Sequence, residues 1–428
     1  MKKLLYPQLN EQILWETLPN GLTVAVVPKP GFSKKAAYFV TDYGSIHQDF
    51  MLDGVPYHVP AGVAHYLEHK LFDLPGRDVT EEFAAMGAVV NAFTSFDMTA
   101  YYFSTTEHFD ECLRLLLTFV STPYFTEETV AKEQGIIGQE IDMTADLPDT
   151  RSFELLAEAL YHSHGIRRPI LGTRESIAQI TPQVLRDCHR AFYAPSNMVL
   201  CVVGDMDAEQ VISAASQVLG SDCRKPGKKL PPPPEPMTSR EPLLQEAMEV
   251  AMPMFQIGFK DAPVDPGEEA IRQEILGELA AEALFGESSG LYLRLYEEGL
   301  IDSSFGGGFE TVDGAALLTC SGDSWEPEAV HDAVLEEAQR IWREGIPEAD
   351  FLRMRRSALG RRVRDLDSFD GTCFRVCTAF LSDFDYFRFP EIYAQISPGD
   401  IQEFLHRVVQ PSRCAMSVIL PIQEEEPQ

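Results

Sequence analysis

The strongest constraint on this chain is that part of it occurs twice. Ile180-Thr181-Pro182 opens a helix-like stretch that runs to Pro195-Ser196 and then into the apolar segment Met198–Val203. Ile396-Ser397-Pro398 opens a second one that runs to Pro411-Ser412 and then into Cys414–Leu420, gaplessly in register and 216 residues further on (180 to 396). In both copies a hydroxyl residue precedes proline. That is a helix start, because the side-chain oxygen caps free N–H groups and proline suits the first turn. The apolar runs that follow are short enough for buried strands. A duplicated α+β domain is the simplest solution.

Between the copies lies Ser221–Pro242, with Lys-Pro-Gly-Lys-Lys followed by Pro231 to Pro234. Such a stretch prefers an extended path and has little to bury. The expected organisation is a first domain at 1–220, a proline-rich linker at 221–242 and a homologous second domain at 243–428. A chain of 428 residues suits two domains of about 200 residues each. Asn20-Gly21 signals a hairpin turn, followed by strands at Leu22–Val27 and Ala36–Val40. Helical patterning follows at Ala61–Leu71, Glu107–Val120 and Glu127–Ile141. The second half repeats the order, with a strand over Glu246–Phe259 and helices over Glu268–Phe285, Ala329–Glu344 and Glu348–Leu366. Strands and helices that do not strictly alternate predict, in each half, a mostly antiparallel sheet with helices on one face.

Composition removes some functions. With 66 acidic and 35 basic residues the net charge is −31, the wrong sign for a surface that neutralises phosphates, so nucleic acid is not an expected partner. The eight cysteines form no C-x-x-C pair, and Cys201 lies inside an apolar run, as expected of reduced thiols in a cytoplasmic protein. Cys373 and Cys377, four residues apart, are the one spacing that could share a helix face. Met1–Tyr6 is too short for a signal-peptide core, and no run reaches the roughly 18 apolar residues of a membrane span.

The chemistry concentrates in His65-Tyr66-Leu67-Glu68-His69. On a helix, positions i and i+4 share a face, so both imidazoles can reach one metal ion. Glu68 can then approach a water activated by the metal rather than the metal itself. A catalytic zinc site needs a third protein ligand and one open position. Glu133 and Glu140, about two helical turns apart, are both candidates. The flanking residues are small or apolar, so ionisable groups in this helix need partners to offset their burial.

Gly62-Val63-Ala64 followed by His65-x-x-Glu68-His69 resembles the active-site helix of the pitrilysin–insulinase family of zinc peptidases, which includes the mitochondrial processing peptidases. The resemblance continues through Leu18-Pro19-Asn20-Gly21-Leu22, Tyr43-Gly44-Ser45, Val90-Asn91-Ala92-Phe93-Thr94 and Thr99-Ala100-Tyr101-Tyr102. His164 and Leu171-Gly172-Thr173 match a weaker signature with no assigned role. The resemblance implies one Zn2+ per chain held by His65, His69 and Glu140, with Glu68 as general base and Glu133 as a supporting acid. It also implies an edge strand at Asn91, Ala92, Phe93 and Thr94 that takes up an extended peptide substrate.

Two departures stand out. At the repeat offset, His65, Glu68 and His69 face Ala281, Leu284 and Phe285, so the second domain is expected to be inert. The arginine and tyrosine that active members place seven apart fall here on Tyr296 and Ser303, and Arg294 is two residues out of place. A full chamber in the family needs four such domains, so the chain is expected to pair. The expected partner is a metal-free homologue that supplies the missing pair. A homodimer, or a zinc-retaining subunit that binds peptides or assembles without catalysis, is the alternative.

Overall fold

The computed structural model describes residues 1–422, and its contacts gather into two units that are not contiguous in sequence. Unit 1 comprises Met1–Ile141, Pro169–Pro231 and Arg362–Arg388; unit 2 comprises Asp142–Arg168, Pro232–Arg361 and the chain from Phe389 onward.

Unit 1 is built on a seven-stranded sheet. Its strands are β1 (Lys2–Tyr6), β2 (Glu11–Thr17), β3 (Thr23–Pro28), β4 (Lys35–Thr41), β5 (Val89–Thr94), β6 (Thr99–Thr105) and β7 (Met198–Gly204). They lie in the order β1-β2-β3-β7-β4-β6-β5. Every neighbouring pair is antiparallel except β3 with β7. The β2–β3 turn forms where Asn20-Gly21 predicts it, with Gly21 at φ +91° and Leu18 N–H donating to Leu22 O at 2.8 Å. Strand β5 is an edge, paired only with β6.

Alternate residues of the central strands face opposite sides, as strand geometry requires. Ala37, Phe39, Leu200 and Val202 join the main core with residues of α1 (Val63–Leu71), α2 (Phe109–Ser121), α3 (Glu127–Ala145) and a later helix at Pro182–Phe192. Cys201 and Ala36 face the other way, where their carbonyls receive Cys373 Sγ of the helix Phe369–Leu381.

Among its described residues unit 2 has five strands, β8 (Leu243–Met248), β9 (Met254–Asp261), β10 (Gly306–Val312), β11 (Ala315–Asp323) and β12 (Cys414–Pro421), in the order β8-β12-β9-β11-β10. The single strand expected over Glu246–Phe259 is therefore two. Pro253 has no N–H to donate, and β12 inserts between the pieces. The helix α4 (Pro148–Leu160), although it belongs to the first half, packs on this sheet. Ser417 Oγ donates to Ser152 O at 2.8 Å, and a Cβ at Gly258 would lie 2.8 Å from Leu160 Cδ1.

The α+β class and the two mostly antiparallel sheets thus hold, but the units do not coincide with 1–220 and 243–428. Each half lends one helix, α4 or Phe369–Leu381, to the other half's sheet. Each sheet consequently has its second face covered, rather than helices on one face alone. The duplicated segments correspond closely. Thr181 and Ser397 both cap their helices, Pro182–Phe192 and Pro398–Val408, and each copy continues through a short 3-10 turn into β7 or β12.

The division between units falls inside the proline run, between Pro231 and Pro232. On the unit 2 side the path is fixed by a buried ion pair. Lys260 Nζ donates to Glu235 Oε1 (2.7 Å) and to the carbonyls of Pro236 (2.6 Å) and Leu160 (3.1 Å). Glu235 also accepts the N–H groups of His162, Ser163 and His164 at 2.8–3.0 Å. Burial alone would raise the Glu235 carboxyl, but the Lys260 ammonium and these N–H groups outweigh it and hold it at about 2. The Glu235→Gln variant leaves Lys260 buried beside a neutral group and is expected to lose about 3–5 kcal/mol in urea unfolding at pH 7. Because the folded value lies below the unfolded value of about 4.3, the wild-type contribution is complete above that pH and fades as pH falls toward 2. The variant should lack this part of the acid sensitivity.

Candidate metal centre

Helix α1 begins at a glycine with no side-chain cap and runs for nine residues through apolar surroundings. Tyr66 and Leu67 are fully buried, His65 is 6% exposed and Glu68 9% exposed. One helical turn brings the imidazoles of His65 and His69 together, with ring centroids 4.6 Å apart and planes tilted by 57°. Helix α3 runs alongside, tied to α1 by a hydrogen bond from Tyr66 Oη to Val130 O.

The geometry separates the two glutamates of α3. Glu140 faces both imidazoles, with Oε1 3.5 Å from His65 Nε2 and Oε2 3.4 Å from His69 Nε2. Glu133 stands behind His69, its Oε1 3.0 Å from Nδ1. His65, His69 and Glu140 form the one group of three or more potential ligands among the described residues whose donor atoms all lie within 4.8 Å. A tetrahedral ion with nitrogen and oxygen ligands at about 2.0–2.1 Å needs them about 3.3–3.4 Å apart, close to the spacings observed. Two imidazoles and a carboxylate suit zinc, and also manganese or cobalt. The residues therefore fit a divalent metal.

Electrostatics favour a positive charge here. Burial pushes the Glu68 carboxyl up, and Glu140 adds to this against the pull of His65, His69 and Thr94. Burial pulls His69 down, but its hydrogen bond to Glu133 and the charges of Glu68 and Glu140 prevail and raise it. Glu140 is lowered, chiefly by its contact with His65.

Glu68 does not join the ligand group. Its Oε2 accepts a 2.7 Å hydrogen bond from Thr94 Oγ1, at the end of β5. Thr94, expected as a substrate contact, is thus also the anchor of Glu68, which the sequence pattern alone did not indicate. The turn after Thr94 is pinned by Tyr43-Gly44-Ser45. Ser45 N–H donates to Ser95 O (3.1 Å), and a Cβ at Gly44 would lie 2.5 Å from Phe96 O.

The other β5 residues divide. Asn91 is exposed, and its Oδ1 accepts the Ala92 N–H at 2.8 Å. The Phe93 ring packs beside Tyr102 and Phe374, at 6.2 and 5.9 Å between centroids. His164 lies in unit 2 and is bound up locally, with Nε2 2.8 Å from Asp313 O and Nδ1 accepting the Ile166 N–H. Leu171-Gly172-Thr173 abuts the start of α1, as shown by the 2.4 Å between Leu171 O and a Cβ placed at Gly62.

In unit 2 the counterparts Ala281, Leu284 and Phe285 are buried apolar residues of the helix Glu268–Phe285, labelled α7, with Arg174–Ile177 and Pro182–Phe192 labelled α5 and α6. Tyr296 is exposed and stacks on Tyr292 (5.9 Å), Ser303 is exposed, and Arg294 lies 3.9 Å from Glu336.

Fold and side-chain group together define a duplicated α+β protein in which, among the described residues, an inverted-motif His-His-Glu group that fits a divalent metal occurs in one repeat only. The chain belongs to peptidase family M16, the insulinase family. Residues 58–174 match the family model described as insulinase (peptidase family M16), and residues 179–358 match that of the M16 inactive domain. The chain is 37% identical over 433 positions to the uncharacterized zinc protease YmfH of Bacillus subtilis, covering 98% of this chain and 99% of that protein. The fold matches an M16-like peptidase from Alicyclobacillus acidocaldarius with a TM-score of 0.93 at 33% identity, over 98% and 99% of the two chains. It also matches the periplasmic protease PqqL of Escherichia coli with a TM-score of 0.73 at 19% identity, covering 95% of this chain and 47% of that longer one. No helix among the described residues is long and apolar enough to cross a membrane.

Glu133 Oε1 meets His69 Nδ1 from behind; if the His-His-Glu group takes up zinc, Glu133→Ala should weaken that binding about 10- to 100-fold with His65, His69 and Glu140 intact, measured by competition with a chelator.

Proposed function

We propose that this chain is a zinc-dependent endopeptidase acting on short or unfolded peptides, and that it works as the catalytic subunit of a heterodimer. The observation that carries the reading is the convergence of His65, His69 and Glu140 beside Glu68, at the end of an open sheet edge. His65, His69 and Glu140 would hold one zinc ion, which when bound supplies Lewis acidity toward a peptide carbonyl and acidifies water.

The remaining roles belong to the protein. Thr94 fixes Glu68 through Oε2, which leaves Oε1 to take the proton of the attacking water and return it to the departing amine. Burial raises the Glu68 carboxyl above its ordinary value, which makes it a better proton acceptor. The unpaired side of β5 offers main-chain groups to an extended peptide, so the backbone rather than particular side chains is recognised. The Ala92 N–H is held by Asn91 Oδ1 and must exchange that partner for the peptide.

The heterodimer reading is supported by Tyr296 and Ser303, which stand where the family resemblance places an arginine and a tyrosine in active members. A metal-free homologue would supply that pair. Likeness to 47% of a longer chain supports pairing, since two chains of this length would match its extent. A cytoplasmic location is in keeping with eight free cysteines, seven of them buried.

Purified chain loaded with zinc should bind one ion, and Glu68→Gln should retain that ion while losing about 10²–10⁴-fold in kcat/KM on a quenched-fluorescent peptide library. Cleavage that survives the substitution would falsify the assignment. The partner reading predicts little cleavage by the chain alone and recovery on adding a metal-free homologue that carries the arginine and tyrosine. Full activity of a self-associated chain would sink it.

A further inference from the structure

Neither the metal ligands nor Glu133 account for the segment Leu171–Ile177, although it meets both helices that carry ligands. At the start of α1, Gly62 has φ +91°, and a Cβ there would lie 2.4 Å from Leu171 O and 3.2 Å from Ile177 Cγ2. The approach is reciprocal. Gly172 has φ +76°, and its Cβ would lie 2.6 Å from both Ala61 O and Ser176 Oγ. Ser176 Oγ donates to Ala61 O at 2.9 Å and shares a capping box with Thr173, while Ile177 is buried in the core. The same one-turn helix, α5, also reaches α3. Gly138 is buried, and Arg174 Nη1 would lie 2.6 Å from a Cβ on it, so the guanidinium rests on the helix backbone two residues before Glu140.

We propose that Leu171–Ile177 is a clamp that sets the spacing of α1 and α3, with Ser176 and Arg174 as positioning residues for the metal ligands. The inference rests on the metal reading above. Tyr66 and Glu133 tie α1 to the first half of α3; the clamp reaches its second half, where Glu140 sits.

The second repeat supplies an independent argument. At the offset of 216, Gly62, Gly138, Gly172, Arg174 and Ser176 become Glu278, Met354, Arg388, Pro390 and Ile392. The offset holds in three dimensions, because the neighbours Gly62 and Ile177 correspond to Glu278 and Tyr393, and Tyr393 Oη donates to Glu278 Oε2 at 2.8 Å. The repeat that has Ala281, Phe285 and Arg356 in place of His65, His69 and Glu140 therefore also lacks the three glycines, the arginine and the serine that make these contacts. Contacts needed only to pack this fold would be wanted in both repeats. These are found only where ligands must be aligned.

The test is zinc affinity, by chelator competition on the full chain, for Ser176→Ala, Arg174→Ala and Ser176→Thr, with His65→Ala as control and circular dichroism to verify folding. Arg174 is exposed and Ser176→Ala removes one hydroxyl, so both variants are expected to fold. The alanine variants should bind zinc about 10- to 100-fold more weakly, as loss of a supporting contact to metal ligands does. They should also change the visible spectrum of the Co2+-loaded protein, and Ser176→Thr should restore both readings. Wild-type affinity and spectrum in both alanine variants would overturn the clamp. If instead the wild type takes up no zinc, or His65→Ala takes up as much, the metal reading itself falls.

Discussion

Burial of His65 and Glu68 on a short helix is the constraint that organises unit 1. Ionisable groups at such depth are costly unless other polar groups meet them. Here the partners come from elsewhere in the chain: Thr94 from an edge strand, Glu133 and Glu140 from α3. The arrangement is not symmetrical. Glu68 is held by a neutral hydroxyl and has its carboxyl raised by burial, which suits a group that must accept and release a proton. Glu140 faces two imidazoles and is lowered, which suits a permanent anion beside a cation.

The helix exchange gives the two halves a shared stake in folding. Without Phe369–Leu381, the β4–β7 face that carries Ala36, Tyr38 and Cys201 would lose its cover; without α4, so would Gly258 and Ser417. The chain leaves unit 1 after Ile141, one residue past Glu140, and returns at Pro169, just before Leu171. Both crossings thus adjoin residues of the proposed metal centre or its clamp. On the unit 2 side of the third crossing, at the proline run, Lys260 and Glu235 hold the chain by pairing opposite charges.

Much of this was legible in the sequence because it is local or periodic. The caps at Thr181 and Ser397, the turn at Asn20-Gly21 and the one-turn spacing of His65 and His69 depend on residues close together in the chain. The exchanged helices were not legible, since the apolar face of α4 would suit either sheet. Nor was the anchor on Glu68. Thr94 lies 26 residues away in sequence, and only the closed sheet brings it within 2.7 Å. Phe93 reads as an edge-strand side chain, yet the strand's alternation turns its ring toward Phe374. Glu133 and Glu140 could be placed on one helix face from their spacing, but which of them meets both imidazoles depends on where α3 lies along α1.

The second unit shows what the same fold becomes when the buried polar groups are removed. Its helix α7 runs for 18 residues, straight through Glu278, whereas α1 starts only after the corresponding Gly62. Ala281, Leu284 and Phe285 are satisfied by packing, which is non-directional and tolerates small shifts between helices. The metal site proposed for His65, His69 and Glu140 could not be treated so loosely, because such a site degrades when its ligands move by a fraction of an ångström. Unit 1 meets that demand by beginning α1 at a bare glycine, so that the Leu171 carbonyl can approach its backbone and Ser176 can bond to Ala61. The chemistry of one repeat and the simplicity of the other thus have a common cause: directional groups need alignment, and apolar ones do not.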